Sequence, residues 1–90
     1  MSIRKHLFIK GRVQGVTFRS SLKNKACELD VSGWVRNLDD GRVEAVFEGE
    51  TDAVQRLIEW CHQGPMLARV DNIRVIDEEK TGIEGFRIRR

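Results

Sequence analysis

The chain is short of cysteine and proline and has no long apolar run, and each shortage removes a class of protein. Two cysteines, Cys27 and Cys61, are too few for a disulfide-stapled scaffold, and they form no C-x-x-C pair. Together with His6 and His62 they show no spacing that would build a four-ligand zinc site. A reduced, intracellular protein is the reading these thiols favour, and a Cys27–Cys61 bridge would need their two segments to lie side by side. No apolar stretch approaches the ~20 residues of a membrane helix, and the N-terminus is too polar for a secretory leader. A cytoplasmic protein without membrane association is expected.

Neither sign of charge dominates. Sixteen Lys and Arg against fourteen Asp and Glu leave a net charge of +2, too mild to argue for nucleic acid or membrane. Repeats, linkers and low-complexity segments are absent as well. Ninety residues are expected to make one domain, 1–90, with a thin core. The acidic run Asp77-Glu78-Glu79 reads as a solvated turn.

What is present is a regular alternation of strand and helix patterns. Leu7, Ile9 and Val13 alternate with Phe8, Lys10 and Arg12, the period of a strand. Phe18, Leu22, Ala26 and Leu29 then recur at helical spacing, with Lys23, Lys25 and Glu28 toward water. Gly33–Leu38 reads as a second strand, Asp39-Asp40-Gly41 as a hairpin turn, and Val43–Glu48 as the returning strand. Thr51 is placed as the N-cap of a second helix, with Asp52 near its positive end and Val54, Leu57, Ile58 and Cys61 on one face. The only proline follows a glycine, and Gly64-Pro65 ends that helix. Val70–Asp77 forms a fourth strand, Thr81-Gly82 a turn, and Phe86 and Ile88 a short last strand. The order β-α-β-β-α-β, with a small terminal strand, predicts an α+β ferredoxin-like sandwich. Two helices would cover one face of a mainly antiparallel sheet.

Chemistry concentrates in the first strand-to-helix turn, Gly11-Arg12-Val13-Gln14-Gly15-Val16-Thr17-Phe18-Arg19. Backbone N–H groups entering a helix attract anions, and Gly15 lets the chain curl so that successive amides converge. Arg19 can grip two oxygens of one phosphate, and a cation at a helix start otherwise opposes the dipole. The turn therefore reads as a phosphate cradle. Phe18 and Trp34 are expected to be packing residues, Gln14 to donate its backbone rather than its side chain, and His6 and His62 to lie on the surface.

The segments Gly11-x-Val13-Gln14-Gly15-Val16-x-Phe18-Arg19 and Gly33-Trp34-Val35-Arg36-Asn37, followed by Asp40-Gly41-x-Val43-Glu44, resemble the acylphosphatase family. Gly64-Pro65-x-x-Ala68-x-Val70 and Gly85-Phe86-x-Ile88 look like the family's later segments, so the likeness runs along essentially the whole chain. The resemblance implies hydrolysis of acyl phosphates to a carboxylate and inorganic phosphate, without metal or other cofactor. The amides of Gln14, Gly15, Val16, Thr17, Phe18 and Arg19 would hold the phosphate, the Arg19 side chain would bind it, and Asn37 would orient the attacking water. Asparagine offers both a carbonyl acceptor and an amide donor, so it can position a neutral water without a shifted pKa. The chain departs from the family pattern at Ser20 and Ser21, where an aromatic residue is common. It departs again at Asp30-Val31, in place of a glycine and an apolar residue.

Two other readings compete. Asn37 could serve only the hairpin turn, and the sandwich could be a non-catalytic module that binds a phosphoryl ligand or nucleic acid. RNA-recognition domains share the element order, but a third strand reading Arg42-Val43-Glu44-Ala45-Val46-Phe47-Glu48 makes a poor base-stacking platform. A similar loop also opens hydrogenase-maturation carbamoyltransferases, as part of much longer chains. The length here favours a free-standing monomeric enzyme with a small acyl phosphate substrate and no nucleic-acid or membrane partner.

Overall fold

In a computed structural model that describes residues 1–90, seven elements follow one another. They are β1 (Ser2–Arg12), α1 (Phe18–Glu28), β2 (Ser32–Asn37), β3 (Val43–Glu50), α2 (Thr51–Gln63), β4 (Arg69–Glu78) and β5 (Phe86–Ile88). One sheet runs in the order β4-β1-β3-β2-β5. Its β1–β3, β1–β4 and β2–β3 pairings are antiparallel, and β5 joins β2 in parallel. The expected α+β ferredoxin-like architecture is the observed one.

The core follows from two periodicities meeting on one face. Odd-numbered residues of β1, β2 and β3 (Leu7, Ile9, Val35, Val43, Ala45 and Phe47) bury themselves against Phe18, Leu22 and Ala26 of α1 and Val54, Leu57 and Cys61 of α2. Val13 and Val16 join the same cluster from the turn after β1, which pins the start of that turn to the core. Cys61 is buried among these side chains, which pushes its thiol well above its usual range. Cys27 is exposed on α1, and both cysteines are free.

Several expectations need correction. Thr51 is the first residue of α2 and not its cap; Glu50 occupies the cap, and the Thr51 hydroxyl donates to the Met1 carbonyl at 3.0 Å. Asp77 and Glu78 belong to β4 and not to a turn, because the strand continues to pair with β1 as far as Arg4. Trp34 is a packing residue, as expected, but packs outside the apolar core. Its even number puts it on the helix-free face of the sheet, half-buried, with the Arg89 guanidinium 4.6 Å and that of Arg36 5.7 Å from its ring.

His6 is on that same face and is not a free surface residue. Its ring nitrogens lie within hydrogen-bond distance of two carboxylates, Nε2 2.6 Å from Glu44 Oε2 and Nδ1 2.7 Å from Glu78 Oε2. Arg36 completes Glu44, while Arg4 bridges Glu78 and Glu48. Glu48 also accepts the backbone N–H groups of Thr81 and Gly82, so the Thr81-Gly82 segment is anchored by a carboxylate. Burial pushes the Glu44 and Glu48 carboxyls up. Their donors outweigh it, and both groups lie below the ordinary carboxylate range.

Candidate active site

Gly11, where the β1–β4 register shifts, lies just past the last β1–β3 pair, Ile9 with Val43. Its backbone lies so close to β4 that a Cβ would meet the Arg69 carbonyl oxygen at 2.1 Å, so only glycine fits. The chain then curls through Gly15 (φ 73°) and Thr17 (φ 61°) into α1. Thr17 occupies the helix cap in a left-handed conformation, and its side chain makes no capping hydrogen bond. An N-cap threonine normally has extended φ/ψ and gives its oxygen to a first-turn N–H. Here the Thr17 carbonyl takes the Ser21 N–H at 3.0 Å, and the N–H groups of Phe18, Arg19 and Ser20 lie ahead of the first intrahelical bond. The amides of Gln14 through Thr17 donate to no backbone carbonyl either. A succession of free donors thus converges at the positive end of a helix.

These donors border a cavity of about 200 Å³ lined by Val13, Gly15, Thr17, Phe18, Arg19, Ser20, Asn37 and Ile88. Arg19 is half-buried, and no carboxylate pairs with it. Asn37 enters from the last position of β2, and its Oδ1 is buried with no hydrogen-bond partner. A buried polar atom left without a partner costs roughly 1–3 kcal/mol, and no protein group offsets that cost here. Gly15, Thr17, Phe18, Arg19 and Asn37 therefore share one cavity. Val16 turns its side chain into the core, and Gln14 turns its side chain to the β2–β3 hairpin. A larger groove of about 530 Å³ lies on the helix-free face, between Phe8, Lys10, Arg74 and the Asp40–Arg42 turn. It holds no partnerless buried polar atom.

Two participants were not legible in the sequence. Ile88 reaches the cavity because β5 pairs in parallel with β2 and sets Ile88 beside Val35, a pairing that no local pattern encodes. Contrary to expectation, the Gln14 side chain is engaged. Its Nε2 donates to the Leu38 carbonyl at 2.7 Å and to the Arg42 carbonyl at 3.0 Å. Glutamine at a turn carries no signal that distinguishes this from solvation.

Fold and cavity together define an α+β sandwich with free backbone donors and an unpaired arginine at the mouth of its first helix. The family model described as Acylphosphatase matches residues 5–88. An acylphosphatase of Roseiflexus sp. (strain RS-1) is 62% identical over 86 residues, covering 94% of this chain and 92% of the relative. An acylphosphatase structure from Coxiella burnetii superposes with a TM-score of 0.94 at 41% identity, over 98% of this chain and 93% of that one. Full-length HypF in its phosphate- and nucleotide-bound form matches all of this chain with 12% of its own length, at 26% identity and a TM-score of 0.89. The chain belongs to the acylphosphatase family, and the enzyme is a hydrolase of that class.

Proposed function

We propose that the 200 Å³ cavity is where an acyl phosphate is hydrolysed, without metal, by a single domain spanning residues 1–90. The N–H groups of Gln14, Gly15, Val16, Thr17, Phe18 and Arg19 hold the phosphoryl oxygens, and the Arg19 guanidinium closes over them. Asn37 Oδ1 accepts a hydrogen from one water and leaves that water's lone pair facing the phosphoryl group. Water attacks phosphorus, the bond from phosphorus to the acyl oxygen breaks, and a carboxylate leaves. The water's proton passes to a phosphoryl oxygen. An acyl phosphate has a good leaving group, so positioning and charge stabilisation supply most of what is needed, and no general base is required.

The observation that carries this reading is that Asn37, whose Oδ1 has no protein partner, lines the same cavity as the free loop amides. A module that only bound phosphate would have no use for it. The test separates the two roles with an aryl acyl phosphate as substrate. Arg19→Ala should lower kcat/KM by on the order of 10²-fold or more and weaken inhibition by phosphate. Asn37→Ala should lower kcat and leave phosphate inhibition nearly unchanged. Equal loss of phosphate affinity in both variants would remove the water-orienting role. Cytoplasmic residence fits the free thiols and is part of the same proposal.

A further inference from the structure

The Gln14 side chain points to a role beyond the loop it belongs to. Its Nε2 carries two hydrogens and spends both on the β2–β3 hairpin, on the carbonyls of Leu38 and Arg42. Those carbonyls are not spare. Leu38 O already accepts the Gly41 N–H at 3.2 Å, and Arg42 O accepts the Leu38 N–H at 2.8 Å, so the Gln14 amide closes over the hydrogen bonds that shape the turn. Leu38 directly follows Asn37, and Gln14 is the first residue of the phosphate loop. The loop and the strand end carrying Asn37 are otherwise about two dozen residues apart in sequence and come from different elements. No other side-chain hydrogen bond joins residues 13–19 to the 37–42 hairpin.

We infer that Gln14 is a positioning residue that fixes the distance between the phosphate loop and the water-orienting Asn37. This rests on the proposed reading of the cavity. Chemistry of this kind depends on a short reach between water and phosphoryl group, and a shift of ~1 Å can lower the rate by ~10²-fold. Only a forked, neutral donor of this length serves both carbonyls. Glutamate has nothing to donate when ionised, and asparagine is one methylene shorter.

The test compares Gln14→Met, which keeps the length without the donors, and Gln14→Glu, alone and combined with Asn37→Ala. Folding of each is checked by circular dichroism. Both single variants should lose kcat by on the order of 10–100-fold at neutral pH, with phosphate inhibition changed by less than ~3-fold. In the Asn37→Ala background the same substitutions should change kcat little, because the group they position is gone. Gln14→Glu should also recover kcat relative to Gln14→Met as the pH falls and the carboxyl regains one O–H donor. Three results would overturn the inference: full kcat in both variants, losses that multiply with Asn37→Ala, or failure of both variants to fold. If Asn37→Ala itself left kcat intact, the reading of the cavity would fail instead.

Discussion

Asp30 holds a left-handed backbone (φ 57°) at the end of α1, in the position where the family commonly has glycine. The geometry around it is that of a Schellman cap. The Asp30 N–H reaches the Cys27 carbonyl at 3.2 Å, the Val31 N–H reaches that of Ala26 at 2.8 Å, and Val31 is buried against the core. A side chain at this φ costs about 1 kcal/mol, and a carboxylate sits badly at the negative end of a helix. Asp30→Gly should therefore raise the urea midpoint by an amount equal to roughly 0.5–1 kcal/mol and leave activity untouched. An unchanged or lower midpoint would show that the Asp30 side chain repays its strain elsewhere. Thr17 holds nearly the same conformation for a different reason. Its uncapped geometry keeps the first-turn amides free, so strain there sits inside the proposed phosphate site.

The sheet has two faces with different chemistry. One is apolar and covered by α1 and α2; the other ties β2, β3, β1 and β4 together through Arg36, Glu44, His6, Glu78, Arg4 and Glu48. Glu78 is held down by Arg4 and His6, and Glu44 and Glu48 also lie low against the cost of their burial. A carboxyl whose folded pKa is depressed contributes stability above its unfolded pKa and loses it as the pH falls through the folded value. The protein should accordingly lose stability from the ordinary carboxylate range downward, and urea midpoints across that range will measure it. Glu44→Gln should flatten this acid limb and also cost on the order of 1–3 kcal/mol at neutral pH, because Arg36 and His6 lose an ionised partner. An acid limb identical to wild type would take Glu44 out of the effect. The strand pattern revealed that β1 alternates. It did not reveal that His6 meets two glutamates, because those contacts depend on which strand lies beside which.

Across the whole molecule, a net charge of +2 conceals a separation of charge. The end that carries the cavity gathers Lys10, Arg12, Arg19, Arg42, Arg69 and Arg74 against Asp40 and Asp71. The opposite end carries Glu28, Glu50, Asp52, Asp77, Glu78 and Glu79 among Arg4, Lys5, Arg56 and Lys80. Such a field draws a small anion toward the first helix. Raising the ionic strength from ~0.02 M to ~0.5 M should lower kcat/KM several-fold with a smaller change in kcat, since salt screens the approach more than the bound state. A kcat/KM independent of salt would remove steering.

Local pattern was enough for the elements and for the cradle. Apolar periodicity laid out the strands and helices, and Gly15 with Arg19 singled out the turn whose amides the fold leaves free, because backbone geometry and helix-end charge act within a few residues of their cause. Asn37 was legible only through its family-like strand, not through any chemistry of its own position. Strand order, the helix-free carboxylate network, Ile88 beside Val35 and the grip of Gln14 on the hairpin were set by packing. Each depends on partners from different elements that meet only when the sheet forms, as when Gln14 Nε2 comes within 2.7 and 3.0 Å of the hairpin carbonyls.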